Sequence, residues 1–321
     1  MPIVYVCGTE PGVGKTALAL GVGQWLRRRG VAVRYAKLAA AADDPDVAFA
    51  AATLGHPPVV ARADVPLGTA PLDAEPGGVA LVEGPPDHAV QTRATDLVLL
   101  VAAYRGRQTF ERIGATELRP SALVLNGVPE MYVERVHQRV IPALVAQGWD
   151  VPGVVPHEQL MLGAPVRVLA ERLQGRWLCG EEQGDRLVGR LAIAGGMLQD
   201  ALLWLARRPD SALICKGDRT DLPLAALQAG CAAMILTEGL DPGVQVLAGA
   251  RERGVPVVSV RQHVIHALEA VEDLFTAPPV HHPQKAAAAL ALVERHLALD
   301  RLAAFLRLAV HVPSAVGVTS D

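Results

Sequence analysis

The sequence has no uninterrupted apolar run near the ~20 residues of a membrane-spanning helix. Its N-terminus also lacks a positive region followed by a cleavable apolar segment. We therefore expect a cytoplasmic protein with no membrane partner. Basic residues are not in excess either, since the net charge is −3. Nucleic acid is not an expected partner, because non-specific binding to it relies on a broad basic surface.

Cysteine and lysine are both scarce. The four cysteines have neither metal-binding nor redox spacing and are interpreted as reduced, small buried residues: Cys7, Cys179, Cys215 and Cys231. Of the 30 basic residues, all but four are arginine, the exceptions being Lys15, Lys37, Lys216 and Lys285. In such a background, a remaining lysine is a candidate for a site that needs a compact ammonium group.

The length and composition allow two globular domains, with 321 residues of which 51% are hydrophobic. In the first part of the chain, Val- and Leu-rich runs alternate with helical patterns. Strands are predicted over 2–8, 31–38, 78–84, 96–104, 121–128 and 151–156, and helices over 14–29, 44–55, 131–147 and 165–174. Continuous apolar strands separated by helices are buried on both faces, so we predict an α/β fold with a doubly wound parallel sheet.

The pattern restarts after a polar, glycine-containing stretch at 174–186. Strands are predicted over 211–217, 231–239 and 255–260, with helices over 223–229, 242–253 and 263–273. An alanine-rich helix is predicted over 284–308, after a proline-marked break. The predicted organisation is a first domain over 1–178, a smaller α/β domain over 186–310 and a tail over 311–321.

A phosphate-binding loop is predicted at GTEPGVGKT (8–16), which follows a strand and opens a helix. Gly12 and Gly14 would turn backbone N–H groups toward a phosphate, Lys15 would neutralise its oxygens, and the Thr16 hydroxyl would coordinate Mg²⁺. The spacing departs from G-x-x-x-x-G-K-T, because Gly8 lies one residue too early and Thr9 takes the usual glycine position. The predicted nucleotide-binding residues of this loop are Thr9, Gly12, Val13, Gly14, Lys15 and Thr16.

Three further polar residues have two interpretations each. Glu83 ends a buried strand and either holds the nucleotide's Mg²⁺, directly or through water, or is merely solvated. Asp46 begins a helix, so it is either a metal ligand or a helix N-cap. Asn126 either reads the adenine edge with its amide or forms an Asn-Gly turn.

The loop sequence resembles that of dethiobiotin synthetase-type ATPases. Its Glu-Pro-Gly centre is more similar to the dethiobiotin synthetase-like N-terminal region of long phosphotransacetylases, over residues 1–175. Lys37, VEG (82–84), LNGV (125–128) and GVVP (153–156) fall where that family has corresponding motifs. The resemblance implies ATP and Mg²⁺ as cofactors, catalytic roles for Lys15 and Lys37, and contact of Asn126 with adenine.

Two departures from that family concern its acceptor site. Lys37 is followed by Leu38 and an alanine run in place of proline and hydroxyl-bearing residues, and Pro85 and Pro86 replace a glycine-rich turn. A ligase needs polar groups that orient the acceptor beside the phosphoryl donor. We therefore expect phosphate binding without the acceptor site.

The second domain resembles the DRTGG domain over residues 186–275, through GDRTDLPLAAL (217–227) and ILTEG (235–239). Asp218, Arg219 and Thr237 match the motif, whereas Glu238 stands where its first glycine is expected. This domain also occurs in regulated pyrophosphatases, which implies a regulatory or assembly module. From the residues themselves, Arg219 is predicted to form an internal network with neighbouring carboxylates. The remaining candidates are interpreted as structural or solvated: His263, His266, His281 and His282.

The combined prediction is an ATP- and Mg²⁺-binding regulatory module that hydrolyses ATP slowly and self-associates through its second domain. The chain ends before an acetyltransferase domain could follow, so we expect no phosphate acetyltransferase activity. One alternative is an ATP-dependent ligase resembling dethiobiotin or cobyrinic acid a,c-diamide synthetase. Another is a structural nucleotide-bound partner of a second protein.

Overall fold

The computed structural model describes residues 2–38, 41, 43–61, 77–85, 96–116, 122–193, 205–276 and 278–307. The chain forms two compact units, one of Met1–His157 with Pro279–Asp321 and the other of Glu158–Pro278. This division differs from the predicted one at two places. The second unit begins at Glu158, before the predicted 178 and 186, and it ends at Pro278, before the predicted 310. The predicted tail, 311–321, lies outside the described residues.

The first unit is built on a seven-stranded sheet with the order β3-β2-β4-β1-β5-β6-β7. Every neighbouring pair is parallel. The strands are β1 (Ile3–Gly8), β2 (Val33–Leu38), β3 (Val59–Ala61), β4 (Val79–Glu83), β5 (Leu97–Ala103), β6 (Ala122–Val128) and β7 (Gly153–Pro156). β1 and β4 are buried along their whole length, as expected of central strands covered on both faces. The predicted α/β fold with a parallel sheet is confirmed.

Helices connect these strands: α1 (Lys15–Arg28), α2 (Pro45–Leu54), α3 (Arg107–Gly114), α4 (Glu130–Arg135) and α5 (Ile141–Ala146), the last two joined by a π-helical turn at Val136–Val140. α2 shows why its sequence forms a helix. Its N-cap Asp44 accepts hydrogen bonds from the backbone N–H groups of Asp46 and Val47, and Pro45 occupies the first turn. Gly55, in the left-handed conformation, ends the helix.

The second unit contains a five-stranded sheet with the order β11-β12-β13-β14-β9, parallel except for β9 at one edge. Its strands are β9 (Arg176–Cys179), β11 (Arg190–Ile193), β12 (Ser211–Lys216), β13 (Ala233–Thr237) and β14 (Val257–Ser259), while β8 (Ala164–Pro165) pairs with β10 (Leu187–Val188). Its helices are α6 (Val166–Arg172), α7 (Asp221–Ala229), α8 (Val244–Glu252), α9 (Val264–Glu269) and α10 (Asp273–Thr276). Ile214 and Ile235 enter one apolar cluster, and Leu213 and Met234 enter another. Because side chains alternate along a strand, these clusters cover opposite faces of the sheet.

After the second unit, the chain forms α11 (Pro283–His296) and α12 (Leu299–Phe305). We call residues 279–296 the return segment. The predicted continuous helix over 284–308 is therefore wrong. It breaks at Leu297, which is extended and pairs with Gly153 at the start of β7. Arg301 of α12 forms an ion pair with Asp150.

All four cysteines are free, and burial raises the pKa of Cys7, Cys215 and Cys231 to about 12. These thiols stay protonated at neutral pH. The interpretation as free, buried residues is confirmed for these three, whereas Cys179 is only partly buried. Within the described ranges, no helix is both long enough and apolar enough to cross a bilayer.

Candidate nucleotide site

The predicted phosphate loop joins β1 to α1, and two other candidate residues end neighbouring strands. Lys37 lies near the end of β2 and Glu83 at the end of β4, with their Cα atoms paired in register. β4 in turn pairs with β1, which places Glu83 beside Val6. The carboxyl ends of these parallel strands form one edge of the sheet, the usual place for ligand binding in open α/β folds.

Glycine is required at two positions of the loop. Gly14 caps α1 with φ +91°, and a Cβ there would collide with the Asn126 amide nitrogen. A Cβ on Gly8 would lie 2.5 Å from Val13 Cγ2 and 3.0 Å from Lys15 Cδ. The loop therefore wraps tightly against its own side chains. Since the first N–H groups of a helix lack intrahelical acceptors, the start of α1 is suited to an anion.

The other loop residues lie where the motif predicts. Lys15 is the first residue of α1 and Thr16 the second. Gly12 has φ +75°. Val13 is buried, and the backbone N–H of Thr9 donates to the Val101 carbonyl at 3.0 Å, which ties the loop to β5.

Glu83 is the centre of a buried hydrogen-bond cluster. Glu83 is buried, and its Oε2 accepts from the Thr16 hydroxyl at 2.9 Å and from the Tyr35 hydroxyl at 2.8 Å. The alternative of a solvated strand-end glutamate is therefore wrong. Burial, and then the charge of Glu83, raises the pKa of Tyr35 well above its usual value. Sequence reasoning missed Tyr35, whose signal is its place two residues before Lys37 on the same face of β2.

Lys37 is held by two carboxylates. Its Nζ lies 2.6 Å from Asp46 Oδ2 and 3.1 Å from Asp44 Oδ2. Burial alone would lower the pKa of Lys37, but these hydrogen bonds and charges raise it above its usual value. Because Asp44 caps α2, the N-cap interpretation of Asp46 is wrong.

Asp46 has a second partner that comes from the return segment. His281 Nε2 lies 2.7 Å from Asp46 Oδ1. The hydrogen bond from His281, followed by the contact with Lys37, lowers the pKa of Asp46 to about 2 against the opposing effect of burial. His281, predicted to be structural or solvated, thus makes a structural contact with a residue of the predicted site. Nothing in the local sequence around His281 indicated this contact.

Asn126 lies within β6, so the Asn-Gly turn interpretation is wrong. Gly127, with φ +68°, instead accompanies an irregularity in the pairing of β6 with β7. The Asn126 amide Nδ2 donates to the Val13 carbonyl at 2.7 Å. Asn126 thereby supports the phosphate loop, and its contact with adenine stays a prediction.

Glu10 is a loop residue that sequence reasoning did not single out. Its carboxylate accepts from Arg105 Nε at 2.8 Å and also pairs with Arg112 of α3. The Glu-Pro-Gly centre of the loop was the available signal, although it did not indicate which cations would be bound. Pro86 and part of the alanine run after Leu38, both expected to mark the lost acceptor site, lie outside the described residues.

In the second unit, Arg219 forms a bidentate pair with Asp221, at 2.7 and 2.6 Å. The predicted network is found here as a single pair with Asp221, in which both side chains are 47% exposed. Thr237 is buried and its hydroxyl donates to the Cys215 carbonyl at 3.3 Å, while Asp218 lies in the turn that precedes α7. Glu238 adopts φ +68° and pairs with Lys216 at 3.0 Å and His263 at 3.1 Å.

The candidate residues for Mg²⁺ are oxygen donors. Across the described part of the chain, no group of three or more His, Cys, Asp and Glu side chains could hold a metal ion. Mg²⁺ is usually held by one or two carboxylates together with substrate phosphates and water. The hydroxyl of Thr16 and the carboxylate of Glu83, already in contact, fit that requirement.

Comparison with known proteins identifies part of the second unit. Residues 168–274 match the model of the DRTGG domain, starting earlier than the predicted 186. The chain is also 25% identical over 154 residues to a phosphate acetyltransferase of Nitratidesulfovibrio vulgaris (strain Hildenborough). That match takes in 45% of this chain and 22% of the relative, so the chain spans about a fifth of that protein. The likeness to dethiobiotin synthetases stays a prediction.

Three solved structures show a partial likeness. The CBS and DRTGG domains of the regulatory region of Clostridium perfringens pyrophosphatase, complexed with the activator diadenosine tetraphosphate, have a TM-score of 0.29 at 12% identity, over 50% of this chain and 77% of that one. The Aquifex aeolicus MinC:MinD cell division complex has a TM-score of 0.33 at 15% sequence identity, and the match covers 50% of this chain and 84% of that one. The signal recognition particle receptor FtsY of Elizabethkingia anophelis, in complex with GDP, has a TM-score of 0.28 at 20% sequence identity. That match covers 39% of this chain and 48% of that one.

Proposed function

We propose that the first unit binds ATP with Mg²⁺ and that the chain is a nucleotide-dependent regulatory module with slow ATP hydrolysis. The observation that carries this proposal is the contact between Thr16, in the phosphate loop, and the buried Glu83 at the end of the neighbouring β4. A loop glycine turn with no ligand would not need a buried carboxylate aimed at its hydroxyl residue. The DRTGG match in the second unit supports a regulatory role.

The residues divide the work of binding. The N–H groups of the loop and of the start of α1 would bind the phosphates, and Lys15 would neutralise their charge. Thr16, Glu83 and Asp46 would hold Mg²⁺, which when bound supplies neutralisation of the phosphate oxygens. Asn126 keeps the loop in place through Val13 and would lie toward the base.

The arrangement around Lys37 favours this function over a ligase. Its ammonium group is taken by Asp44 and Asp46, and so is not free to orient an acceptor. A catalytic role of Lys37 would require it to exchange these partners for substrate. Self-association through the second unit and binding of a protein partner stay predictions, as does the absence of phosphate acetyltransferase activity.

The decisive experiment is calorimetric titration of the full chain and its Lys15→Ala variant with ATP in excess Mg²⁺. Loss of one charge-assisted phosphate contact should weaken ATP binding by at least about tenfold. Lys216→Ala removes a lysine of the second unit, 47% exposed, and is the matched control with expected wild-type affinity.

Equal ATP affinities of wild type and Lys15→Ala would reject the phosphate-loop assignment. GTP should bind more weakly than ATP if Asn126 contacts the base, and equal affinities would remove that role. Release of phosphate from ATP at the wild-type rate by Lys15→Ala would reject the predicted catalytic role of Lys15.

A further inference from the structure

The return segment packs against both helices that flank the proposed nucleotide site. Gln24 of α1 donates through Nε2 to the Ala286 carbonyl of α11 at 2.8 Å. On α2, Phe49 stacks at a tilt against the His281 ring, with ring centroids 5.6 Å apart. α1 begins at the phosphate loop and α2 carries Asp46, so this segment touches the supports of two proposed ligand groups.

The most direct of these contacts is made to Asp46 itself. Its Oδ1 accepts from His281 Nε2 at 2.7 Å, and its Oδ2 accepts from Lys37 Nζ at 2.6 Å. Because a carboxylate only accepts hydrogen bonds, Nε2 of His281 must carry the proton in this contact. Partners on the two different oxygens fix the rotation of the carboxylate plane. The side chains of His281 and Asp46 are both 23% exposed, so solvent only partly competes for the contact.

We propose that His281 is a positioning residue of the nucleotide site: its hydrogen bond orients the Asp46 carboxylate for Mg²⁺–nucleotide binding. The chain that leaves the second unit thus completes the site of the first. This inference rests on the proposed binding of ATP and Mg²⁺, and adds to it a residue that orients one of the proposed metal ligands. Without the His281 hydrogen bond, Asp46 would keep its contact with Lys37 and lose the partner that holds its Oδ1.

The orienting role predicts a metal-dependent effect, whereas a purely structural role does not. Residues that orient a metal ligand contribute to metal affinity, and their loss typically costs at least about tenfold. In the proposed site, the loop and Lys15 bind the phosphates directly, whereas Asp46 acts through the metal. Loss of His281 should therefore weaken ATP binding in Mg²⁺ and leave it unchanged when the metal is chelated.

The test is calorimetric titration of the full chain with ATP, once in excess Mg²⁺ and once in EDTA. His281→Phe keeps a ring against Phe49 and removes the N–H donor. It should weaken ATP binding about tenfold in Mg²⁺ only. His281→Gln places an amide donor near the position of Nε2 and should restore most of the affinity. Gln284→Ala, at an exposed position in the same segment, is the control and should behave as wild type.

Thermal melting of the variants without nucleotide shows whether a loss of ATP affinity comes with a loss of stability, which the orienting role of His281 does not require. If His281→Phe and His281→Gln lose affinity equally, or if the loss is the same in EDTA, the positioning role is refuted. Wild-type affinity of His281→Phe in Mg²⁺ would also refute it and leave the proposed function standing. A wild-type chain that binds no ATP at all would instead overturn the proposed function, and the role of His281 with it.

Discussion

Lys285 is a buried cation with little to compensate its burial. Its side chain is 1% exposed in the first turn of α11, and its Nζ donates to the Pro279 carbonyl at 2.9 Å. Burial lowers the pKa of Lys285 from 10.5 to about 8. A neutral carbonyl offsets only part of the cost of removing an ammonium from water, so charged Lys285 destabilises the fold at neutral pH.

Replacement of Lys285 by methionine should therefore raise the free energy of unfolding at pH 7 by about 1–3 kcal/mol. The pH dependence provides a second readout. Between pH 8 and 10.5 the folded chain has lost a proton that the unfolded chain still binds, so wild-type stability should gain a rising contribution over that range. Lys285→Met should lack this contribution in urea unfolding at pH 7 and 9.5. Stability curves that stay parallel for the two proteins would contradict the assignment.

At the scale of residues, the sequence predicted those parts of the site that a motif or a strand end marks. Thr16 and Glu83 were found because a phosphate loop and the end of a buried strand are both readable from local pattern. Tyr35 contacts Glu83 from 48 positions away, and His281 contacts Asp46 from 235 positions away. No local sequence pattern predicts either contact, because both depend on how elements that are distant in the chain pack together.

The packing of α11 against α1 depends on a glycine. A Cβ on Gly21 would lie 2.5 Å from the Ala289 carbonyl oxygen and 2.5 Å from Val293 Cγ2. Backbone cannot yield at such a contact as a flexible side chain could. The two helices thus approach closely only because position 21 has no side chain.

Gly21→Ala should lower the free energy of unfolding by about 1–3 kcal/mol, since the added methyl group overpacks the helix interface. The control is Gly114→Ala at the end of α3, where an added Cβ meets nothing within 4 Å. There the same substitution should be neutral or stabilise by up to about 1 kcal/mol through lower entropy of the unfolded chain. Chemical denaturation of both variants gives the comparison, and a neutral Gly21→Ala would show that the helices can separate at little cost.

At the scale of elements, helical and strand periodicity predicted most of the regular structure. The exceptions are instructive. The unpredicted elements include β3 with three residues, β9 and β11 with four each, and α3 with eight, which are too short for a reliable periodic pattern. The helix predicted over 284–308 keeps its apolar spacing through Leu297, yet ends there because Leu297 pairs with Gly153 and the Ala298 N–H donates to the Pro152 carbonyl. Tertiary pairing thus overrides local propensity at this point.

For the whole molecule, the order of elements along the chain does not show that the first unit is built from two separate segments. The sequence shows two α/β patterns in succession, and chain order alone predicts that the final helices belong to the second. In the structure the first unit resumes after the second, with Gln24 and Ala286 in contact across 262 positions. Periodicity identifies an amphipathic helix but does not say which apolar surface it covers.

This composition predicts that the first unit cannot fold from residues 1–178 alone, or from any chain that ends at Pro278. Such a chain would lack α11, whose buried side chains Ala286, Ala289, Leu290 and Val293 cover the first unit, and would also lose the pairing of Leu297 with β7. We expect it to aggregate or to show non-cooperative melting, with ATP affinity lowered by more than about tenfold because the helix that begins at the phosphate loop loses its support. A chain that ends at Arg307 keeps α11 and α12 and is the control, expected to melt cooperatively and to bind ATP like the full chain. Thermal melting by circular dichroism and ATP calorimetry are measured on the three shortened chains, which end at residues 178, 278 and 307. A 1–178 fragment that folds cooperatively and binds ATP would contradict this prediction and support the domain boundary at 178.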